Sequence, residues 1–145
     1  MRIMKYVIVL LLILMAVALY VRLAPSDPAR WHVDPRAVDA PDAGGYRIEL
    51  SLPLPPEDAL EAFERIALAT ARTHLLAGSP QDGRITFVTR SRLWGFPDYT
   101  TVAAMPAPGG SQLVVLARLR FGGGDMGVNR YRITLWLEEL GDGRQ

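Results

Sequence analysis

The sequence predicts an α+β protein: an N-terminal transmembrane helix, then a small antiparallel sheet of about four strands packed against two helices. Three observations point there. The first is an uncharged apolar run, Tyr6 to Val21, bounded by Lys5 and Arg22. The second is apolar–polar alternation in separate segments after residue 45, the period of half-buried strands. The third is the order of those segments: strand, helix, three strands in succession, closing helix, an order that usually gives a sheet with helices on one face.

The 16 residues from Tyr6 to Val21 span about 24 Å as a helix. Ile3, Met4, Leu23 and Ala24 lengthen the apolar stretch while Lys5 and Arg22 turn their charged ends outward, so that it reaches the roughly 30 Å hydrocarbon core. Tyr6 and Tyr20 stand near the ends, as interfacial rings do. A competing reading is a cleaved signal peptide, with Arg2 and Lys5 ahead of the apolar run and Ala16-Val17-Ala18 as its cleavage site. The run continues past that cut through Leu19, Tyr20 and Val21, which favours an uncleaved anchor over residues 1–23. Arg2, Lys5 and the α-amino group place the N-terminus inside. The expected location is therefore the inner membrane, single-pass, with the domain in the periplasm of a Gram-negative cell.

Residues 24–45, rich in Pro, Asp, Ala and Gly, read as a linker that begins to dock, since Trp31 and Val33 call for burial. The domain is expected over 46–141. Tyr46, Ile48, Leu50 and Leu52 share one face of a first strand, and Pro53, Pro55 and Pro56 stop it. Pro56 suits a first helical position, and Glu57 and Asp58 suit the positive end of the helix. This helix is expected to run to about His74 and to end at Gly78 and Pro80, with Leu60, Phe63, Ile66, Ala67 and Thr70 buried. Further strands are expected over Arg84 to Trp94, Tyr99 to Met105 and Gln112 to Phe121. Three glycines then lead to Asp125, a plausible N-cap for a last helix whose stripe is Ile133, Trp136, Leu137 and Leu140, with Gly141 just past its end.

Composition narrows the function classes. Net charge is +1, without the basic field of a nucleic-acid binder. Cysteine is absent, which removes disulfides, thiol nucleophiles and zinc–thiolate sites. The two histidines, His32 and His74, lack ligand spacing with a carboxylate, and no G-x-S-x-G elbow exists. No catalytic residue, metal or cofactor is expected.

Two stretches carry a resemblance, TRSRLWGFPDYTTV at 89–102 and RLRFGGGDMGVNRYRITLWLEEL at 118–140. Ser91, Arg92, Gly95, Phe96 and Asp98 match one motif of the bacterial domain-of-unknown-function family 1499. Arg120, Gly122, Asp125, Gly127, Asn129, Arg130, Arg132 and Ile133 match a second. The chain is similar to that family, which implies a shared fold and an uncharacterised role and supplies no reaction. Gly124 stands where Ser is common in the family, and the cysteine-containing N-terminal segment of many members is absent.

The candidate site is polar. Arg90 and Arg92 share a face of one strand, Arg118 and Arg120 a face of another, and the strand between them brings the four guanidinium groups together. Asp98, Asp125, Glu138 and Glu139 are candidate partners, with Asn129 and Arg130 beside them. The structural reading is an Arg–Asp lattice fixing the last helix, in which Asp125 caps that helix and pairs with Arg92 or Arg120. The functional reading is an anion site for a lipid headgroup or an acidic partner. The Gly122–Gly124 loop suits a capped helix start better than a phosphate cradle, because Asp125 occupies the place of the anion. The function expected is a membrane-tethered, non-enzymatic binding or interaction module, its ligand a lipid or a membrane-protein complex to which it is an accessory subunit. A sheet gripped by helices offers one place for a lipid, an enclosed apolar pocket. The competing reading is an enzyme acting on an envelope or lipid substrate through Asp98, Asp125 and the arginines.

Overall fold

In the computed structural model of the chain, residues 1–39 and 41–142 are described. The apolar run lies within α1 (Arg2–Leu23), about 33 Å long at 1.5 Å per residue. It is long and apolar enough to cross a membrane. Its side chains are exposed along nearly the whole length, and the first to be buried is Val21. A four-residue α2 (Pro28–Trp31) follows, started by the Asp27 carboxylate, which accepts from the Ala29 N–H at 2.9 Å. A 3-10 turn over Pro35–Ala37 is capped in the same way by Asp34.

The domain itself is a sheet of five strands, every neighbouring pair antiparallel, in the order β1-β5-β4-β3-β2. Alternation makes β1 (Tyr46–Leu52) as expected. The helix α3 (Pro56–Ala69) begins at the predicted Pro56, with Glu57 and Asp58 in its first turn. It ends five residues short of His74, because the chain reverses at Arg72 with φ +62°. Thr73–Ser79 is then a strand, β2, rather than the end of a helix. Gly78 and Pro80 accordingly serve a strand and the 3-10 turn after it. The remaining strands are β3 (Arg84–Arg90), β4 (Pro97–Ala107) and β5 (Gly110–Leu119). β3 stops earlier than expected, since residues 92–94 turn. β4 and β5 run closer together, joined by a tight turn at Pro108 and Gly109.

The last helix, α4 (Val128–Asp142), starts three residues beyond Asp125 and continues through Gly141. Both α3 and α4 lie on one face of the sheet. Phe63, Phe87 and Trp136 meet at that seam, the Phe63 and Trp136 rings edge to face at 5.6 Å. Leu60, Ile85, Val102, Leu113, Val115 and Ile133 fill the space around them. Among the described residues the seam is thus filled by side chains, which leave little room for the enclosed apolar pocket expected between sheet and helices. The other sheet face is covered by the segment that follows α1.

Candidate functional site

Period-two alternation sorts the candidate residues onto opposite faces of the sheet. On β4, Asp98, Thr100 and Val102 face the helices, while Tyr99, Thr101 and Ala103 face the other way. On β5, Arg118 and Arg120 also face away from the helices. The predicted meeting of Asp98 and Asp125 with Arg90, Arg92, Arg118 and Arg120 therefore does not occur. The sheet stands between Asp98 and the arginines.

On the helix side, Asp98 meets a residue outside the predicted set. Arg132 of α4 approaches it at 3.4 Å, and both side chains are largely buried. The Arg132 guanidinium also donates to the Asn129 side-chain oxygen. Asn129, fully buried, donates through its side-chain nitrogen to the Gly44 carbonyl at 3.0 Å. The Asp125 carboxylate accepts from the backbone N–H of Gly127 at 2.9 Å and of Asn129 at 2.6 Å. Asp125 thus caps the start of α4, as expected. Among the described residues it forms no ion pair with Arg92 or Arg120, which belong to the other face and to the 91–96 turn. Burial pushes the Asp98 carboxyl up, and Arg132 offsets this only in part. Burial likewise lowers Arg132. The two family-like motifs therefore join at this seam, Asp98 from the first and Asn129 and Arg132 from the second. Arg130, exposed, lies over the Tyr46 ring at 5.0 Å, while Glu138 and Glu139 face solvent.

On the opposite face the arginines hold backbone. Arg118 donates to the Trp31 carbonyl at 2.5 Å and lies over the Trp31 ring at 5.0 Å. Burial, with Arg30 nearby, lowers its pKa. Arg120 donates to the Pro25 carbonyl at 2.5 Å and to the Tyr99 hydroxyl at 3.4 Å. Arg90 donates to the Gly95 carbonyl at 3.0 Å and to Val21 at 3.4 Å. Trp31, 5% exposed, stacks on the buried Tyr99 ring at 3.8 Å and 10°. The Tyr99 hydroxyl shares a hydrogen bond with Ser26 at 2.8 Å. His32 bonds Thr86 through Nδ1 at 2.8 Å and accepts from Arg84 at Nε2, 3.2 Å. Burial and Arg84 lower its pKa, against a smaller opposing effect of Asp82. Residues 21–34 are in this way clasped to the sheet.

The remaining candidate, Arg92, sits in the turn after β3. That turn touches the end of α1: the Arg22 guanidinium donates to the Leu93 carbonyl at 3.0 Å. Phe121, just past β5, lies 6.3 Å from the Tyr20 ring and 6.1 Å from Phe96. Two loops, 91–96 and 121–127, therefore flank the point where α1 leaves the domain. They carry exposed apolar side chains, Leu93, Trp94, Phe96 and Met126. A groove of about 650 Å³ opens at the other end of the domain, between α3 and α4, with Asp58, Glu61 and Glu139 on its rim. Among the described residues no three His, Asp or Glu side chains gather as a metal ion would require.

Residues 23–140 match the profile of a family described as a protein of unknown function, DUF1499. No curated protein matches. Solved structures with a similar chain trace include a protein from Mesorhizobium loti, with 15% identity and a TM-score of 0.49 over 70% of this chain and 98% of that one. An uncharacterized protein from Rhizobium leguminosarum shows 16% identity and a TM-score of 0.49, over 67% of this chain and 91% of its own. A protein from Chromobacterium violaceum shows 17% and 0.49, over 68% and 95%.

Proposed function

The chain belongs to the DUF1499 family of proteins of unknown function, and on that premise we propose that it is a membrane-tethered, non-enzymatic binding module that works with its 91–96 and 121–127 loops against the bilayer. The observation that carries this reading is the clasp. Arg90, Arg118 and Arg120 donate to the carbonyls of Val21, Trp31 and Pro25, so the domain is seated on the end of α1. Hydrogen bonds from a charged donor are about twice as strong as neutral ones. The Arg2 and Lys5 charges ahead of α1 favour an inner-membrane, single-pass placement with the domain on the periplasmic side. The ligand class is a membrane component. The binding-module reading is preferred to an enzyme built on Asp98, Asp125 and the arginines because Asp98 and Asp125 serve the helix–sheet seam, away from the arginines of the other face.

The natural chain has no cysteine, so single labels can be introduced at Leu93 and at Pro108, which lie at opposite ends of the sheet. With the full chain in phosphatidylcholine vesicles, a fluorophore at Leu93→Cys should be quenched by headgroup-region spin-labelled lipid. The same fluorophore at Pro108→Cys should respond only to aqueous iodide. Equal iodide quenching at both positions, with none from lipid, would show the domain standing clear of the bilayer and sink the reading.

A further inference from the structure

We infer that the junction of α1 with the domain is a phosphate-binding site for the headgroup of an anionic phospholipid, an inference that rests on the bilayer-facing orientation proposed above. A cavity of about 300 Å³ lies there, and Arg22, Arg72, His74, Arg90 and Arg92 line it. They come from three separate stretches of chain: the last turn of α1, the reversal that leads into β2 with the start of that strand, and the end of β3 with the turn after it. Among the described residues no carboxylate lines the cavity, and the ion pairs of the domain lie elsewhere, at Asp34, Glu49 and Asp98. Four guanidinium groups gathered without a counter-charge repel one another, and an anion among them relieves that repulsion.

The geometry aims these groups without neutralising them. Arg22 donates to the Leu93 carbonyl at 3.0 Å, Arg72 through Nε to the Arg90 carbonyl at 3.1 Å, and Arg90 to the Gly95 carbonyl at 3.0 Å. A guanidinium has five N–H donors in a planar fork. Each of these contacts fixes a fork through a neutral acceptor and leaves donors for a phosphate, the ligand that fork geometry matches. Two backbone features serve the same arrangement. Gly95 has φ +72°, and a Cβ there would meet Arg22 Cγ at 2.8 Å, so glycine lets the Arg22 stem lie across the turn. Arg72 holds φ +62°, an uncommon state for a residue with a side chain.

The level of the cavity selects the source of the phosphate. Arg22 directly follows the apolar run, where basic side chains extend to the headgroup layer. The turn that closes the cavity also exposes Leu93 by 74%, Trp94 by 46% and Phe96 by 37%. An apolar rim beside a basic cluster suits the boundary between headgroups and acyl chains. A free anion would have no use for it.

Purified full chain in mild detergent is titrated with dihexanoyl-phosphatidylglycerol, dihexanoyl-phosphatidylcholine or inorganic phosphate, and binding is read as the rise in melting temperature. The phosphatidylglycerol should bind at least tenfold more tightly than the phosphatidylcholine and more tightly than phosphate. The Arg72→Gln/Arg92→Gln double variant keeps the donors to the Val21, Trp31 and Pro25 carbonyls and loses one exposed hydrogen bond, from Arg72 to the Arg90 carbonyl, so without lipid it should melt within a few degrees of wild type. Its affinity for the phosphatidylglycerol should fall about twentyfold or more, at roughly fivefold per basic residue beside an anionic surface. If inorganic phosphate binds as tightly as the lipid, the site is a free-anion site and the lipid assignment is overturned. If the double variant binds lipid like wild type, or the two lipids bind alike, the site itself is overturned. Either result leaves the Leu93 and Pro108 quenching pattern untouched, so the orientation and the site fail separately.

Discussion

Replacing Trp31 by alanine tests whether residues 21–34 are a clasp or merely a covering. Trp31 is 5% exposed and stacked on Tyr99, with the Arg118 guanidinium over its ring. Truncating a buried Trp costs about 3–5 kcal/mol, and the stack and the cation–π contact account for about 1–2 kcal/mol of that. The main core of Phe63, Phe87 and Trp136 lies across the sheet and does not include Trp31. The loss therefore falls first on the docking of the segment, and at about 3 kcal/mol its detached state becomes over a hundredfold more populated. Arg30 and Arg36 are exposed trypsin sites on either side of Trp31. With opening faster than cleavage, the proteolysis rate follows the open population. Trypsin should then cut full-length Trp31→Ala at these two sites up to a hundredfold faster than wild type, while cleavage after Arg65 within α3 stays slow. Trp31→Phe, which keeps a stacked ring, should fall between the two. Unchanged cutting after Arg30 in the alanine variant would refute the clasp. Equal acceleration at Arg65 would mean that Trp31 supports the whole domain.

His32 supplies a pH test of the same clasp. Its folded pKa is lowered, so its contribution is present above the unfolded value of about 6.5 and is lost as pH falls through the folded one. Measured relative to cleavage after Arg65, which corrects for the protease's own pH dependence, cleavage after Arg30 and Arg36 should accelerate between pH 7 and pH 5 in wild type and lose this dependence in His32→Gln. Asp125→Ala removes both acceptors at the start of α4 and should cost about 1–2 kcal/mol. Asp125→Asn keeps one acceptor and should melt between alanine and wild type; melting curves that all coincide would remove Asp125 from the fold's support. For topology, a reporter active only in the periplasm and fused after Gln145 should be active, with the full-length chain in the membrane fraction. A soluble product beginning at Leu19 would show cleavage instead.

The strands with clean alternation were legible in the sequence because burial of one face leaves a period-two record, as in β1. β2 was not legible. No Gly or Pro separates it from α3, and the reversal at Arg72 is made by a residue type that does not announce a left-handed turn. Period two, applied to β4, also separates Asp98 from Tyr99 and hence from the arginines of the opposite face. The arginines take their faces from the sequence, but Asp98, just ahead of the strand expected from Tyr99, takes none, and so it was put beside them. Arg132 was visible within a motif, three positions after Asn129 and so on the same helix face. What it meets depends on the packing of α4 over β4, which local pattern does not encode. The docking of residues 21–34 left two signs in the sequence, Trp31 and Val33, of which Trp31 is buried and Val33 half-buried. The carbonyls that Arg90, Arg118 and Arg120 bind belong to any backbone and leave no trace in side-chain identity.

A Pro- and Asp-rich stretch between an anchor and a domain suggests a leash, and 22 unattached residues would extend to roughly 75 Å. Clasped to the sheet, the first part of that stretch has no slack. With α1 in a bilayer, as proposed above, the domain would travel with it, and any tilt or rotation of the helix would turn the domain by the same angle. Its encounters are then confined to a layer about one domain deep, roughly 34 Å for some 100 residues with a radius of gyration of about 13 Å. A partner far out in the aqueous compartment would have to come to the membrane. One already embedded there is met by lateral diffusion in two dimensions, in a fixed orientation, with no chain entropy left to lose on contact.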